Sequence, residues 1–168
     1  ANWVYTTEDG TRLDINRVFG LRKITDRNAN AVTFTDDGIF HSSGEAITFT
    51  RDAQGRITTI TDNNGASVHY VYAPDHGYLE AVTNRVGETT AFEYIPHPAA
   101  PGRQLLDTII DPLGNRALAA GYDDDGRLIA QFDADGYRID FDYDIHNRRN
   151  TITYRLGNTT TYENDLRG

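Results

Sequence analysis

The chain has no cysteine and no methionine, and Lys23 is its only lysine. Without cysteine there are no disulfides and no thiolate metal sites. Without methionine the sequence cannot begin at a natural start codon, and it reads as a piece of a longer protein. Its 25 acidic residues outnumber its 16 basic ones, for a formal charge of −9. That balance argues against nucleic acid as a partner, because a binder needs a basic surface to displace counterions. No apolar run is long enough to span a membrane as a helix. No charged start followed by an apolar segment marks a signal peptide.

At 168 residues there is enough chain for a domain with a core. The apolar fraction is 38%, and ten tyrosines and seven phenylalanines supply most of its bulk. Threonine, valine, isoleucine and tyrosine are plentiful and favour strands.

The stretch Tyr122–Gly136, YDDDGRLIAQFDADG, resembles a calcium loop at first sight because it holds five aspartates. The pattern recurs, however. Asp-x-x-Gly stands at Asp52–Gly55, Asp62–Gly65, Asp111–Gly114, Asp123–Gly126, Asp133–Gly136 and Asp165–Gly168, with variants at Asn84–Gly87 and Asp144–Asn147. This is turn chemistry: the aspartate accepts bonds from nearby amides, and the glycine enters a left-handed backbone. At Asp144–Asn147 the sequence predicts Asn147 in the glycine's role, since asparagine also tolerates that region. One set of turns aligns at Ala29, Gly44, Gly65, Gly87, Gly114, Gly136 and Gly157, spaced by 15, 21, 22, 27, 22 and 21 residues. Five residues after each stand Phe34, Phe49, Tyr70, Phe92, Ala119, Phe141 and Tyr162, against an aromatic background of 11%. Tyr72, Tyr94 and Tyr143 repeat two residues further on. A second set lies between, at Gly55, Gly77, Gly126, Asn147 and Gly168, followed by Ile57, Leu79 and Leu128.

Each unit thus reads strand, turn, strand, turn, the pattern of antiparallel hairpins. RIDFDY and TITYRL alternate, which puts Ile139, Phe141 and Tyr143 on one face and predicts the same for Ile152, Tyr154 and Leu156. Ile57 and Ile60 are three apart, which calls for a bulge or for a strand covered on both faces. The expected fold is all-β, with hairpin repeats of about 22 residues.

These segments resemble the RHS, or YD, repeat, whose pattern is Y-D-x-x-G-R-L, then D-x-x-G, then Y-x-Y-D. YDDDGRLIAQFDADGYRIDFDYD carries it, and Arg51–Tyr72 and Thr25–Phe34 match as well. The resemblance covers residues 20–168; residues 1–19 read as a leading, irregular hairpin. It implies a curved, spiralling sheet that closes into a hollow shell. In insecticidal ABC toxins and polymorphic toxins such a shell encloses a C-terminal toxin, and in teneurin-like proteins it is part of an adhesion molecule. A secreted or cell-surface location is implied. Three departures stand out: Ala29 in place of glycine, HSSG at His41 in place of D-x-x-G, and the insertion IPHPAAPG at 95–102. The insertion holds three of the five prolines and is expected to lengthen one turn into a surface loop.

Neither an enzymatic nor a metal-binding motif fits these residues. An EF-type loop framed on Gly136 puts Gln131 first and Asp142 twelfth; framed on Gly126 it puts Gly121 first and Phe132 twelfth. Both frames fail. A D-P-x-G sequence occurs once, at Asp111–Gly114, in the repeat's own turn position, where Pro112 suits a type I turn. Self-cleavage of the kind such motifs carry in related proteins therefore has no second motif here. His41, His69, His76, His97 and His146 lack metal spacing and read as turn or strand residues. No nucleophile elbow or phosphate loop is present. Arg56 and Arg127 belong to the repeat. Asn158 opens the glycosylation sequon NTT. No catalytic residue, cofactor or metal is expected.

The expected role is a non-catalytic wall segment. Its partners would be the remaining repeats of the same protein and an enclosed C-terminal cargo, without membrane insertion by this segment. The alternative is an adhesion module that takes a cell-surface protein or sugar on its face or at the 95–102 loop. Unpaired end strands invite edge-to-edge self-association. Phe34, Phe49, Tyr70, Phe92, Phe141 and Tyr162 are expected on one face, with Ala119 at the gap and a cost of about 3–5 kcal/mol for truncating Phe92.

Overall fold

The computed structural model describes residues 2–75 and 77–165; His76 and the turn expected to end at Gly168 lie outside them. Every regular element among them is a strand. They are β1 Asn2–Thr6, β2 Arg12–Asn16, β3 Gly20–Thr25, β4 Ala31–Thr35, β5 Gly38–His41, β6 Ala46–Arg51, β7 Ile57–Thr61 and β8 Ser67–Tyr72. The series continues with β9 Leu79–Thr83, β10 Thr89–Pro96, β11 Gln104–Ile110, β12 Arg116–Tyr122, β13 Leu128–Asp133, β14 Arg138–Asp144, β15 Arg149–Thr153 and β16 Thr159–Glu163. Their order in the sheet is their order in the chain, β1 through β16, an open antiparallel meander. Hairpin follows hairpin because turn residues such as Asp62 and Gly65 stand between successive strands.

Packing divides the chain into two units, one of Ala1–Tyr70 with Thr83–Gly87 and one of Val71–Val82 with Glu88–Gly168. In the first unit, register carries apolar residues from strand to strand on one face. Tyr5 pairs with Leu13, Leu13 with Ile24, and Ile24 with Val32. Phe34 pairs with Ile39 and Ile39 with Ile47; Phe49 pairs with Ile60 and Ile60 with Val68. Alternation joins these rows, because Val32 and Phe34, Ile47 and Phe49, and Val68 and Tyr70 are each two apart. The opposite face carries Asp14, Lys23 and Thr33 in one row, and Thr48, Thr61 and Ser67 in another.

The second unit repeats the division. Phe92, Ile109 and Leu118 form one row, Phe141 and Ile152 a second, and Tyr143, Asn150 and Tyr162 a third. The other face carries Glu93 and Thr108, then Ala130, Asp140, Thr153 and Thr159. Burial is shallow throughout. Among the described residues only Ala31, Gly38, Ala73, Thr108, Ala119 and Ala130 are buried, and no large side chain is fully covered. A single layer of sheet can cover only short side chains beneath longer neighbours, and each face lacks the second layer that ordinarily completes a core.

Three readings of the sequence need correction. Ala119 is not the ladder position: it pairs with Thr108 and Phe132 on the face opposite Phe92. An extra residue, Ala117, is taken out as a bulge between the pairs Ile109–Leu118 and Ile110–Arg116, so Ala120 falls in line and pairs with Gln131. Secondly, β15 stops at Thr153. Tyr154 and Leu156 belong to a turn, in which the Gly157 amide donates to the Tyr154 carbonyl at 2.8 Å. Thirdly, the 95–102 insertion extends strands as well as the turn. Ile95 pairs with Leu105 and Pro96 with Gln104, so β10 and β11 lengthen and the turn is confined to 97–103.

Candidate functional site

The recurring aspartates sit at the first position of their turns with one geometry. Oδ1 of Asp52 accepts the Gln54 and Arg56 amides at 3.0 and 2.9 Å, and Oδ1 of Asp62 accepts those of Asn64 and Ala66 at 2.9 and 3.0 Å. Asp111, Asp123 and Asp133 take the same two amides, of Leu113 and Asn115, Asp125 and Arg127, and Asp135 and Tyr137. The amides of Gly55, Gly65, Gly114, Gly126 and Gly136 close each turn onto the aspartate's own carbonyl. Closure at that point needs a left-handed backbone, and every one of these glycines has positive φ.

The second carboxylate oxygen has its own partner. Asp52 and Asp123 receive Nε of Arg56 and Arg127 at 2.7 and 2.8 Å, while Asp26 and Asp111 receive the side-chain amides of Asn30 and Asn115 at 2.7 and 3.2 Å. The residue four beyond the aspartate is therefore part of the turn. The sequence signal is the arginine repeated after glycine, at Arg56 and Arg127. Backbone bonds from Arg127 and from Asn115 hold Asp123 and Asp111 below the ordinary carboxylate range, and the Asn30 amide does the same for Asp26.

Two histidines stand in for aspartate. Nδ1 of His41 accepts the Ser43 amide and Nδ1 of His97 accepts the Ala99 amide, each at 3.1 Å. Among the described residues the left-handed non-glycines are Ala29, at φ 66°, and Arg148, at φ 53°. The second corrects the expectation for Asn147: its turn is one residue longer, and Asn147 bonds back to Asp144 through its amide instead.

The aromatic positions divide by unit. Phe34, Phe49 and Tyr70 share the apolar face of the first, and Phe92, Phe141 and Tyr162 that of the second. All are half-buried except Tyr162, which is 51% exposed on β16. A further device lies in two of the tyrosines that repeat two residues beyond, Tyr94 and Tyr143, joined by Tyr122, which the repeat spacing did not single out. The hydroxyl of Tyr94 donates to the Leu79 carbonyl, that of Tyr122 to Leu106, and that of Tyr143 to Leu128, at 2.8, 2.6 and 2.8 Å. Burial raises the pKa of Tyr122, with Asp107 adding to it, so its phenol stays a neutral donor. Bulges accompany these tethers at Asp107 and Ile129, and recur at Arg22 and Thr58. The one at Thr58 brings Ile57 and Ile60 to the same face.

Among the described residues no group of three or more His, Asp or Glu side chains is placed to hold a metal ion. Within 122–136, Asp123 and Asp133 cap the amides of two separate turns and Asp125 pairs with Arg127, and Asp111 of the D-P-x-G sequence is likewise held by two amides and the Asn115 side chain.

Residues 51–89 and 122–163 match the family model described as RHS Repeat. A comparison with curated proteins gives no match. Among solved structures, a chain of the TcdB2-TccC3-Cdc42 crystal structure is similar, with a TM-score of 0.60 and 13% identity. The match covers 92% of this chain and 10% of that one, and at such identity the likeness is one of fold.

Proposed function

The chain belongs to the RHS-repeat family, and from that premise we propose that it is a stretch of shell wall that encloses a C-terminal cargo. Its repeated residues serve turns and strands, a structural task and not a catalytic one. The observation that carries the proposal is the asymmetry of the sheet. One face of each unit is dominated by Phe, Tyr, Ile and Leu that stay half-exposed; the other is richer in threonines and charges, though Phe40, Ile110 and Phe132 lie on it. Burying apolar surface is worth about 25 cal/mol per Å², so a row such as Phe34, Ile39, Ile47, Phe49 and Ile60 gains from a cover that excludes water. A wall with its apolar face inward gives that cover and leaves the polar face to solvent. The similarity in fold to a chain of TcdB2-TccC3-Cdc42 supports the same reading, with secretion or surface display as its setting.

An adhesive role for the 97–103 turn has less support. That turn closes on its own backbone, His97 to Arg103 at 2.9 Å, and the His97 ring packs over Gly126. The test uses the parent protein that contains this segment. Limited proteolysis should leave the region C-terminal to the repeats intact while the parent is folded, and digest it rapidly once the parent is denatured. Equal digestion in both states would reject enclosure.

A further inference from the structure

We propose that a recess at the polar end of the first unit's apolar face binds a basic side chain, arginine above all, of an extended polypeptide. The recess has a volume of about 430 Å³ and lies between the turns at 41–45 and 62–65. Its floor is aliphatic: Val32, Ile39 and Ile47, brought together by the pairing of β4, β5 and β6. His41 and Glu45 rise from the same face, joined by a 2.8 Å backbone bond, and Asn63 faces them from the other turn.

The charges at the rim are unequally committed. Oδ1 of Asp62 caps two amides, and its Oδ2 pairs with Arg85 at 2.8 Å. The Glu45 carboxylate has no cationic partner among the described residues. His41 takes the Ser43 amide on Nδ1, so the neutral ring carries its proton on Nε2.

A ligand that fits this set has a hydrocarbon stem to lie on valine and isoleucine and a cationic head to reach Glu45. Lysine and arginine side chains have that form. Arginine adds a planar fork that matches a carboxylate through two parallel bonds. The Nε2–H of His41 then donates to a backbone carbonyl beside the basic residue, which points to a polypeptide over a free amine. The formal charge of −9 favours approach of a cation.

The site stands whether or not the parent encloses a cargo, and its test reads this chain alone. The isotope-labelled chain is titrated with acetyl-Leu-Arg-Leu-amide and with the same peptide carrying citrulline, the neutral counterpart of arginine. Saturable shifts in the NMR signals of residues 39–47 and 62–64 are expected. The arginine peptide should bind about fivefold tighter, the scale of one partly exposed ion pair. Glu45→Gln should erase that preference and leave the rest of the spectrum unchanged. Equal binding of the two peptides, a preference that survives Glu45→Gln, or shifts absent or confined to other residues would each overturn the proposal.

Discussion

The hydroxyl of Tyr143 donates a 2.8 Å hydrogen bond to the carbonyl of Leu128, on the neighbouring strand, where Ile129 is bulged out of register. The bulge frees that carbonyl from the regular ladder, and the phenol satisfies it. Tyr143→Phe keeps the ring and removes only the donor. It should cost about 1 kcal/mol, the net value of one hydrogen bond with its acceptor left partly buried. Urea melts of the two proteins measure this directly, and an unchanged midpoint would show that water replaces the phenol without loss.

Phe92 is half-buried in this chain, so the cost of truncating it falls below the value expected for a core phenylalanine. Phe92→Ala should lose about 2 kcal/mol. Asp124→Ala, at an exposed position inside a turn, should stay within about 0.5 kcal/mol. Denaturant unfolding of both variants decides whether the apolar face or the turn interior carries stability.

The turn aspartates set a pH dependence. Asp26, Asp111 and Asp123 are held below the ordinary value of 3.8 by bonds made only in the fold. Groups depressed on folding stabilise the protein fully above their unfolded value, and that contribution disappears as pH falls through the folded value. Stability should therefore hold level from neutrality to about pH 5 as far as these groups are concerned, then decline below pH 3.8. Urea midpoints across pH 2 to 7 measure it, and replacing the three by asparagine should flatten the acid limb.

Glycines divide into two kinds. At Gly65 an added Cβ meets open space, but at Gly38 it collides with the Ile47 backbone carbonyl. Gly65→Ala should cost about 1–2 kcal/mol, the penalty of a left-handed alanine. Gly38→Ala should cost more, about 3 kcal/mol or above, because the obstacle is backbone of the paired strand. The reverse change, Ala29→Gly, relieves the strain at φ 66° and should add about 0.5 kcal/mol once the extra freedom of the unfolded chain is counted. Thermal melts rank the three.

The turns and strands were legible because each rests on a local rule. Asp62 and Gly65 announce a turn from four residues, and Ile139, Phe141 and Tyr143 announce a face from five. What stayed hidden depends on pairing across strands. Nothing within ALAAGY says that Ala117 is extruded, since only the partner strand fixes which residue is surplus. Tyr154 followed an alternating run and was counted into it, although the turn closed by Gly157 claims it. The two-residue hairpin at Asp36 and Asp37 was also missed, because its spacing falls short of the repeat. The recess at Glu45 could not be read at all: it joins two turns some twenty residues apart.

An extra residue in an alternating strand ordinarily turns every later side chain over. Ala117 does not, because the fold sets it aside at once and the next pair resumes in phase. The strand-lengthening insertion at Ile95 and Pro96 is absorbed in the same local way. Genetic slippage within one hairpin is thus an error that the next hairpin does not inherit, and a chain of such copies can lose perfect periodicity while keeping its two faces distinct.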